Sequence, residues 1–164
     1  KTINKWMIQK YNFPDYISRY FPEFKGKIIY SKHHLSHAAS AFYPSPFDES
    51  AILTMDGVGE WSSSTIGYGN KNNLDILKEQ RYPHSLGILY SAFTRYLGFK
   101  VLSGEYKVMG LAPYGDPTHV NTIKNNLINI NDDGSINLNS EYFDFLSEKR
   151  IVNKKFDKLF FKPQ

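Results

Sequence analysis

The sequence predicts an α/β domain, a mixed sheet flanked by helices. Three observations carry that prediction. A run of small residues after a histidine cluster, Leu35 to Phe42, reads as a closely packing helix. Three segments, Glu49 to Asp56, Ser62 to Gly69 and Leu74 to Gln80, follow one another as strands of a meander. Ser85 to Leu97 then returns to helical periodicity, with Leu86, Leu89, Tyr90, Phe93 and Leu97 on one face.

The remaining elements follow in order. The opening stretch, with Ile3, Trp6, Met7, Tyr11, Ile17, Tyr20 and Phe21, reads as helical pieces interrupted at Pro14. Lys27 to Tyr30 is a short strand candidate leading into the histidines, and Pro44 and Pro46 stop the helix that follows them. Gly57-Val58-Gly59 is expected to turn the first strand of the meander, and Gly98 to cap the second helix. Leu102 to Pro117 is rich in Gly and Pro. Thr118 to Ile128 reads as a helix, Asn129 to Ser140 as a polar loop or short hairpin, and Glu141 to Gln164 as partly helical. No internal repeat is visible.

Composition excludes several classes. The 164 residues are 41% hydrophobic and 22% charged, enough to bury a core, and the net charge of +4 is modest. Basic residues are dispersed; the densest group, Lys149, Arg150, Lys154, Lys155 and Lys158, reads as a solvated face, so no nucleic-acid partner is indicated. No apolar run approaches the ~20 residues of a membrane span, and no signal peptide is visible, so no membrane partner is expected and the cytoplasm is the default compartment. With no cysteine, any metal must be held by His, carboxylate or water.

The five histidines include three within five residues, His33, His34 and His37. His33 and His37, four apart, place both imidazoles on one helical face, a spacing that lets two nitrogens reach one divalent ion. The plain alternative is a helix start whose histidines bond nearby backbone. His34 points to another face. Asp56 ends an apolar strand and can complete a His/His/Asp site suited to Fe, Mn or Zn. Gly57 and Gly59 let the backbone present N–H groups to an anion, although Asp-Gly is equally a hairpin signal. Glu105 and Lys107 lie between Gly104 and Gly110, where a lysine can neutralise phosphate or simply form a surface ion pair. His84 and His119 are isolated and read as structural or exposed.

In order, "HHLSHAASAFYPSPFDESAILTMDGVGEWSSSTIGYG", "PHSLGILYSAFTRYLGF" and "GEYKVMGLAPYG" resemble the nodulation-protein and antibiotic O-carbamoyltransferases, from about residue 28 to 115. The resemblance implies that residues 1–164 are a single partial domain of the actin-like ATPase (ribonuclease H-like) fold, similar to threonylcarbamoyl-transfer proteins. It implies an adenylate-forming domain further along the same polypeptide, which makes carbamoyl-adenylate from carbamoyl phosphate and ATP. The actin-like domain would then pass the carbamoyl group to a hydroxyl-bearing small molecule or saccharide with a divalent metal, iron first, manganese or zinc as alternatives. By position, His33, His37 and Asp56 correspond to metal ligands, and Gly57, Val58, Gly59 and Glu60 to a nucleotide-phosphate hairpin. Glu105 and Lys107 fall in a segment lining the same cleft, and His34 is the candidate proton acceptor. A second aspartate ligand of the family has no match before Gln164, so the chain alone is expected to bind metal weakly and transfer little. The competing expectation is a catalytically silent nucleotide- or ligand-binding module of the same fold; a sugar-kinase-like member fits less well, because those sites do not use this histidine pair.

Overall fold

The computed structural model of the chain describes residues 12–145 and 151–160. The chain divides into two compact units, Lys1–Lys32 and His33–Gln164. In the first, a helix spans Phe13–Tyr20 with Pro14 in its first turn. Pro14 therefore opens the helix instead of interrupting it, because an N–H missing there forfeits no intrahelical bond. The pieces expected from Ile3 to Tyr11 lie outside the described residues. Tyr16 and Tyr20, one turn apart, bring their rings to 4.4 Å, and Phe13 meets Tyr30 edge-on at 6.4 Å. The strand expected at residues 27–30 does not form. No strand among the described residues pairs with it, and Ile29 is 81% exposed; an apolar run without a ladder partner has no backbone bonds to hold it extended.

The second unit is built on a three-stranded antiparallel meander: β1 (Glu49–Gly59), β2 (Ser62–Asn70) and β3 (Asn73–Arg81), with β2 central. The α/β class holds. The pairing among the described residues is antiparallel throughout. β1 runs three residues past Asp56, and the turn falls at Glu60-Trp61, with Glu60 in the left-handed region at φ 62°. It does not fall at Gly57-Val58-Gly59.

The histidine helix, His33–Phe42, packs on β1 and β2. Its buried stripe is His34, Ala38 and Phe42, spaced by four. Ala38 is fully buried and lets the helix approach closely. Phe42 reaches Gly69 on β2, where a Cβ would stand 2.6 Å from its ring; Ile52, Leu74 and Ile76 complete this small core.

The helix Leu86–Tyr96 starts on Ser85, whose side chain accepts the Ile88 N–H, and ends before Gly98 at φ 85°. Its core-facing residues are Ile88, Leu89, Ala92, Phe93 and Tyr96; Leu86, Tyr90 and Leu97, expected on the buried face, are exposed. The inward stripe is rotated toward the larger core. That core gathers Ala92 of this helix, Leu138 of the hairpin β4 (Ile128–Ile130) and β5 (Ile136–Leu138), Phe156 of the helix Lys154–Leu159, and Leu127 and Phe143, which flank the hairpin. The polar stretch after Ile128 is thus the short hairpin expected of it. Gln80 Oε1 accepts the Ile136 N–H at 3.0 Å and His84 Nδ1 accepts the Leu138 N–H at 3.1 Å, tying the hairpin to the end of β3. His84 is structural, as expected, while His119 is exposed beside Phe160. Lys154, Lys155 and Lys158 form a solvated face; Lys149 and Arg150 lie outside the described residues.

The Gly- and Pro-rich segment folds as a helix, Glu105–Leu111, and a 3-10 turn, Ala112–Tyr114. The reason is Glu105. Its carboxylate accepts N–H bonds from Leu102 (3.0 Å) and Gly104 (3.2 Å) and the Ser91 hydroxyl (2.9 Å), holding Leu102 at φ 68°. The Leu102 N–H first of all, with smaller help from Gly104 and Ser91, keeps this carboxyl below the usual glutamate value. A depressed carboxyl stabilises the fold above its unfolded pKa and loses that contribution as pH falls through its folded one. Glu105→Gln is accordingly expected to lower the urea midpoint at neutral pH. The two unfolding curves should converge as both are measured below the usual carboxylate range.

Candidate metal centre

Two local devices aim the site. The first is the pair of adjacent stripes on the histidine helix: one stripe is buried, and the next, His33 and His37, opens to solvent with side chains 42% and 50% exposed. The second is a bulge in β1. Met55 pairs with Ser64 and Gly59 with Ser62, so three residues, Asp56 to Val58, stand opposite Ser63 alone. Bulges bend a strand and re-aim its side chains, and this one carries Asp56.

The bulge is held from beneath. Ser85 Oγ lies 3.0 Å from the Asp56 carbonyl and 2.7 Å from the Gly57 carbonyl, donating to this pair while accepting the Ile88 N–H at 3.1 Å. One hydroxyl therefore joins the start of a helix to the backbone of the site. Gly87 belongs to the same contact: a Cβ there would come within 2.8 Å of Asp56 O and of Gly57.

The result is a convergence of three donors. His33 Nε2 lies 2.7 Å from Asp56 Oδ2 and 2.9 Å from His37 Nε2, and His37 Nε2 lies 3.5 Å from Asp56 Oδ2. These three residues are the one group among the described residues whose ligand atoms could hold a metal ion together. Burial pushes the Asp56 carboxyl up, but hydrogen bonds from His33, the Gly57 N–H and His37 outweigh it, and the net shift is downward. The carboxylate is the ionised form a metal requires.

The donor set fits a cation better than it fits protons. A proton on His33 Nε2 serves Asp56 but leaves the His37 lone pair facing the carboxylate. Protons on both rings place two N–H groups against each other at 2.9 Å. An ion with bonds of about 2.0–2.2 Å to imidazole nitrogen and carboxylate oxygen would satisfy all three at once.

The other expected residues stand as follows. His34 is 4% exposed; its Nδ1 is 2.7 Å from Thr54 Oγ1 and its Nε2 3.0 Å from the Ser62 carbonyl. Both of its nitrogens are thus bonded below the surface. The Gly57 N–H is taken by the Asp56 carboxylate, at 2.6 Å from Oδ1. Gly59 makes room for the His33 ring, which a Cβ would meet at 2.1 Å. Val58 and Glu60 are at the end of β1 and in the turn, both exposed or partly so. Glu105 opens its helix and holds the backbone just before it through the Leu102 and Gly104 N–H groups, and Lys107 is exposed on that helix, its Nζ 6.0 Å from the Tyr106 ring centre. Thr54, Thr65 and Ser85 were not anticipated. Only Ser85 carried a signal, a serine immediately before an apolar helical run.

A cavity of about 470 Å³ shares Asp56 with the triad. Leu53, Met55, Ile66, Leu86 and Ile136 give it apolar walls, and Lys78 and Asp133 are among its polar groups. Among the described residues no helix is long and apolar enough to cross a membrane.

Residues 7–164 match the family described as carbamoyltransferase N-terminus. A protein of Synechocystis is 54% identical over 137 residues, 84% of this chain. The nodulation protein NolNO of Sinorhizobium fredii is 47% identical over 91 residues (56% of this chain), and NolO of Bradyrhizobium diazoefficiens 44% over 85 residues (52%). The matched segments span 22% of the Synechocystis protein, 13% of NolNO and 15% of NolO.

Proposed function

Since the chain belongs to the carbamoyltransferase N-terminus family, we propose that it supplies the metal-binding part of an enzyme that carbamoylates a hydroxyl acceptor. The observation that carries this reading is the meeting of His33 Nε2, His37 Nε2 and Asp56 Oδ2 at one open point. In the proposed reaction the acceptor oxygen attacks the carbamoyl carbon of carbamoyl-adenylate, the bond to the phosphate oxygen breaks, and AMP departs. The adenylate would be made from carbamoyl phosphate and ATP by a further domain of the same polypeptide. A divalent metal, iron first with manganese or zinc as alternatives, would supply Lewis-acid stabilisation of the oxygens that gain charge.

The chain's own residues do the rest. His33 and His37 offer imidazole nitrogens and Asp56 an anionic oxygen, leaving the solvent side open for reactants. Ser85 and Gly59 keep those donors in place. Lys107 offers an exposed ammonium for an anionic phosphate. The cavity beside Asp56 has the volume of a small-ligand site and supports placing the acceptor there. His34 belongs to the scaffold.

The test is metal content after loading with Fe²⁺, Mn²⁺ or Zn²⁺ in turn. One equivalent in the polypeptide that also carries the adenylate-forming domain, lost in Asp56→Asn and in the His33→Ala, His37→Ala double variant, is the expected result. Equal metal content in wild type and variants would sink the reading and leave a silent module of the same fold. Carbamoyl transfer itself is to be assayed on the polypeptide that also carries the adenylate-forming domain.

A further inference from the structure

Resting on that reading of His33, His37 and Asp56, we propose that the chain of hydrogen bonds Thr65–Thr54–His34–Ser62 is the positioning device of the metal centre. It sets the register and rotation of the histidine helix on β1.

The proton order in this chain follows from its ends. The Ser62 carbonyl can only accept, so His34 Nε2 carries the hydrogen, and Nδ1 must then accept from Thr54 Oγ1. Thr54 in turn accepts from Thr65 Oγ1, 2.7 Å away on the paired strand. All three residues are buried, at 4%, 7% and 3% exposure for His34, Thr54 and Thr65. Every polar atom in the relay has a partner.

The placement is what makes the relay a gauge. His33 and His34 are consecutive on the helix, and their partners, Asp56 and Thr54, are two apart on β1. The anchoring bond and the ligand contact thus join neighbouring helix residues to neighbouring same-side positions of one strand. Hydrophobic packing is non-directional and would allow the helix to slide or roll on Ala38 and Phe42. A directional bond to a buried hydroxyl does not, because slipping strands buried donors and acceptors. The His34 ring also stands edge-on to both ligand rings, 5.5 Å from His33 and 5.8 Å from His37.

Thr54→Val, close in shape, cuts the relay at its centre, and Thr54→Ser keeps the hydroxyl. The probe is Co²⁺ alone, titrated into the 164-residue chain and followed by its visible ligand-field absorption. Ring-proton NOEs between His33 and His37 are measured in parallel without metal. Thr54→Val is expected to weaken Co²⁺ binding by about 10-fold or more, to change the absorption band and to lose the NOEs, with Thr54→Ser restoring all three. Should Thr54→Val fail to fold, Thr65→Val, which removes only the outer hydroxyl, is expected to move the same readouts in the same direction. Co²⁺ affinity within about twofold of wild type, with an unchanged band and retained NOEs, would overturn the proposal. If the wild-type chain takes up no Co²⁺, the metal reading falls, and the metal-free NOEs decide the positioning role by themselves.

Discussion

Gly59→Ala is expected to cost the chain its metal binding almost as completely as removing His33. A Cβ at residue 59 would stand 2.1 Å from His33 Cδ2 and 2.7 Å from Nε2, far inside the ordinary contact distance of about 3.5–4.0 Å. Asp56, three residues before the bulge closes at Gly59, is held by Ser85 from below, so the ring and not the strand must yield. Its Nε2 then leaves the 2.7 Å contact with Asp56. Overpacking of this kind costs about 1–3 kcal/mol of stability, which urea denaturation would register. Gly57→Ala is the internal control. A Cβ there meets nothing within 4 Å, so metal affinity should stay at the wild-type level. Equal affinities for the two variants would mean that close packing at Gly59 does not place His33.

Phe156→Ala is expected to have the largest effect on stability. Phe156 is fully buried, with ring centres at 5.2 Å to Phe93, 5.7 Å to Tyr96, 6.0 Å to Phe143 and 5.1 Å to Phe160. Truncating a buried Phe in such a cluster removes transfer free energy and leaves a cavity, about 3–5 kcal/mol together. That is a large share of the marginal stability of a single domain, roughly 5–15 kcal/mol. The histidine helix rests on a different core, of Ala38, Phe42 and Ile52. Calorimetry of Phe156→Ala should therefore show a much lower unfolding temperature, while a sample kept below that temperature still binds metal. A midpoint near that of wild type would show that the cluster relaxes into the space.

The family's three motifs, the strands of the meander and both of its flanking helices were legible because each is a local pattern. Alternation, spacing by four and a serine before an apolar run are properties of residues within a turn or two of one another. The hairpin of Ile128–Leu138 belongs to the same class. The strand expected at residues 27–30 failed for the complementary reason, since pairing requires a partner that local pattern does not supply. The Gly- and Pro-rich segment around Glu105 became a helix beside three bonds to one carboxylate, two of them from backbone groups only one and three residues away. Their geometry, not their spacing, made the difference.

The sequence by itself determined that any metal here would sit on imidazole and carboxylate, and that His33 and His37 would share a helical face; it ended the strand at Asp56, three residues short of where β1 ends. That His34 is bonded on both nitrogens below the surface while His33 and His37 open to solvent beside Asp56 was decided by the tertiary structure. So were the task of Gly59, the bulge that turns Asp56, and the reach of Ser85 to its carbonyls. Those contacts join residues 20 to 29 positions apart. Helical and strand periods say which side a residue faces; only the packing of one element on another says what it meets there.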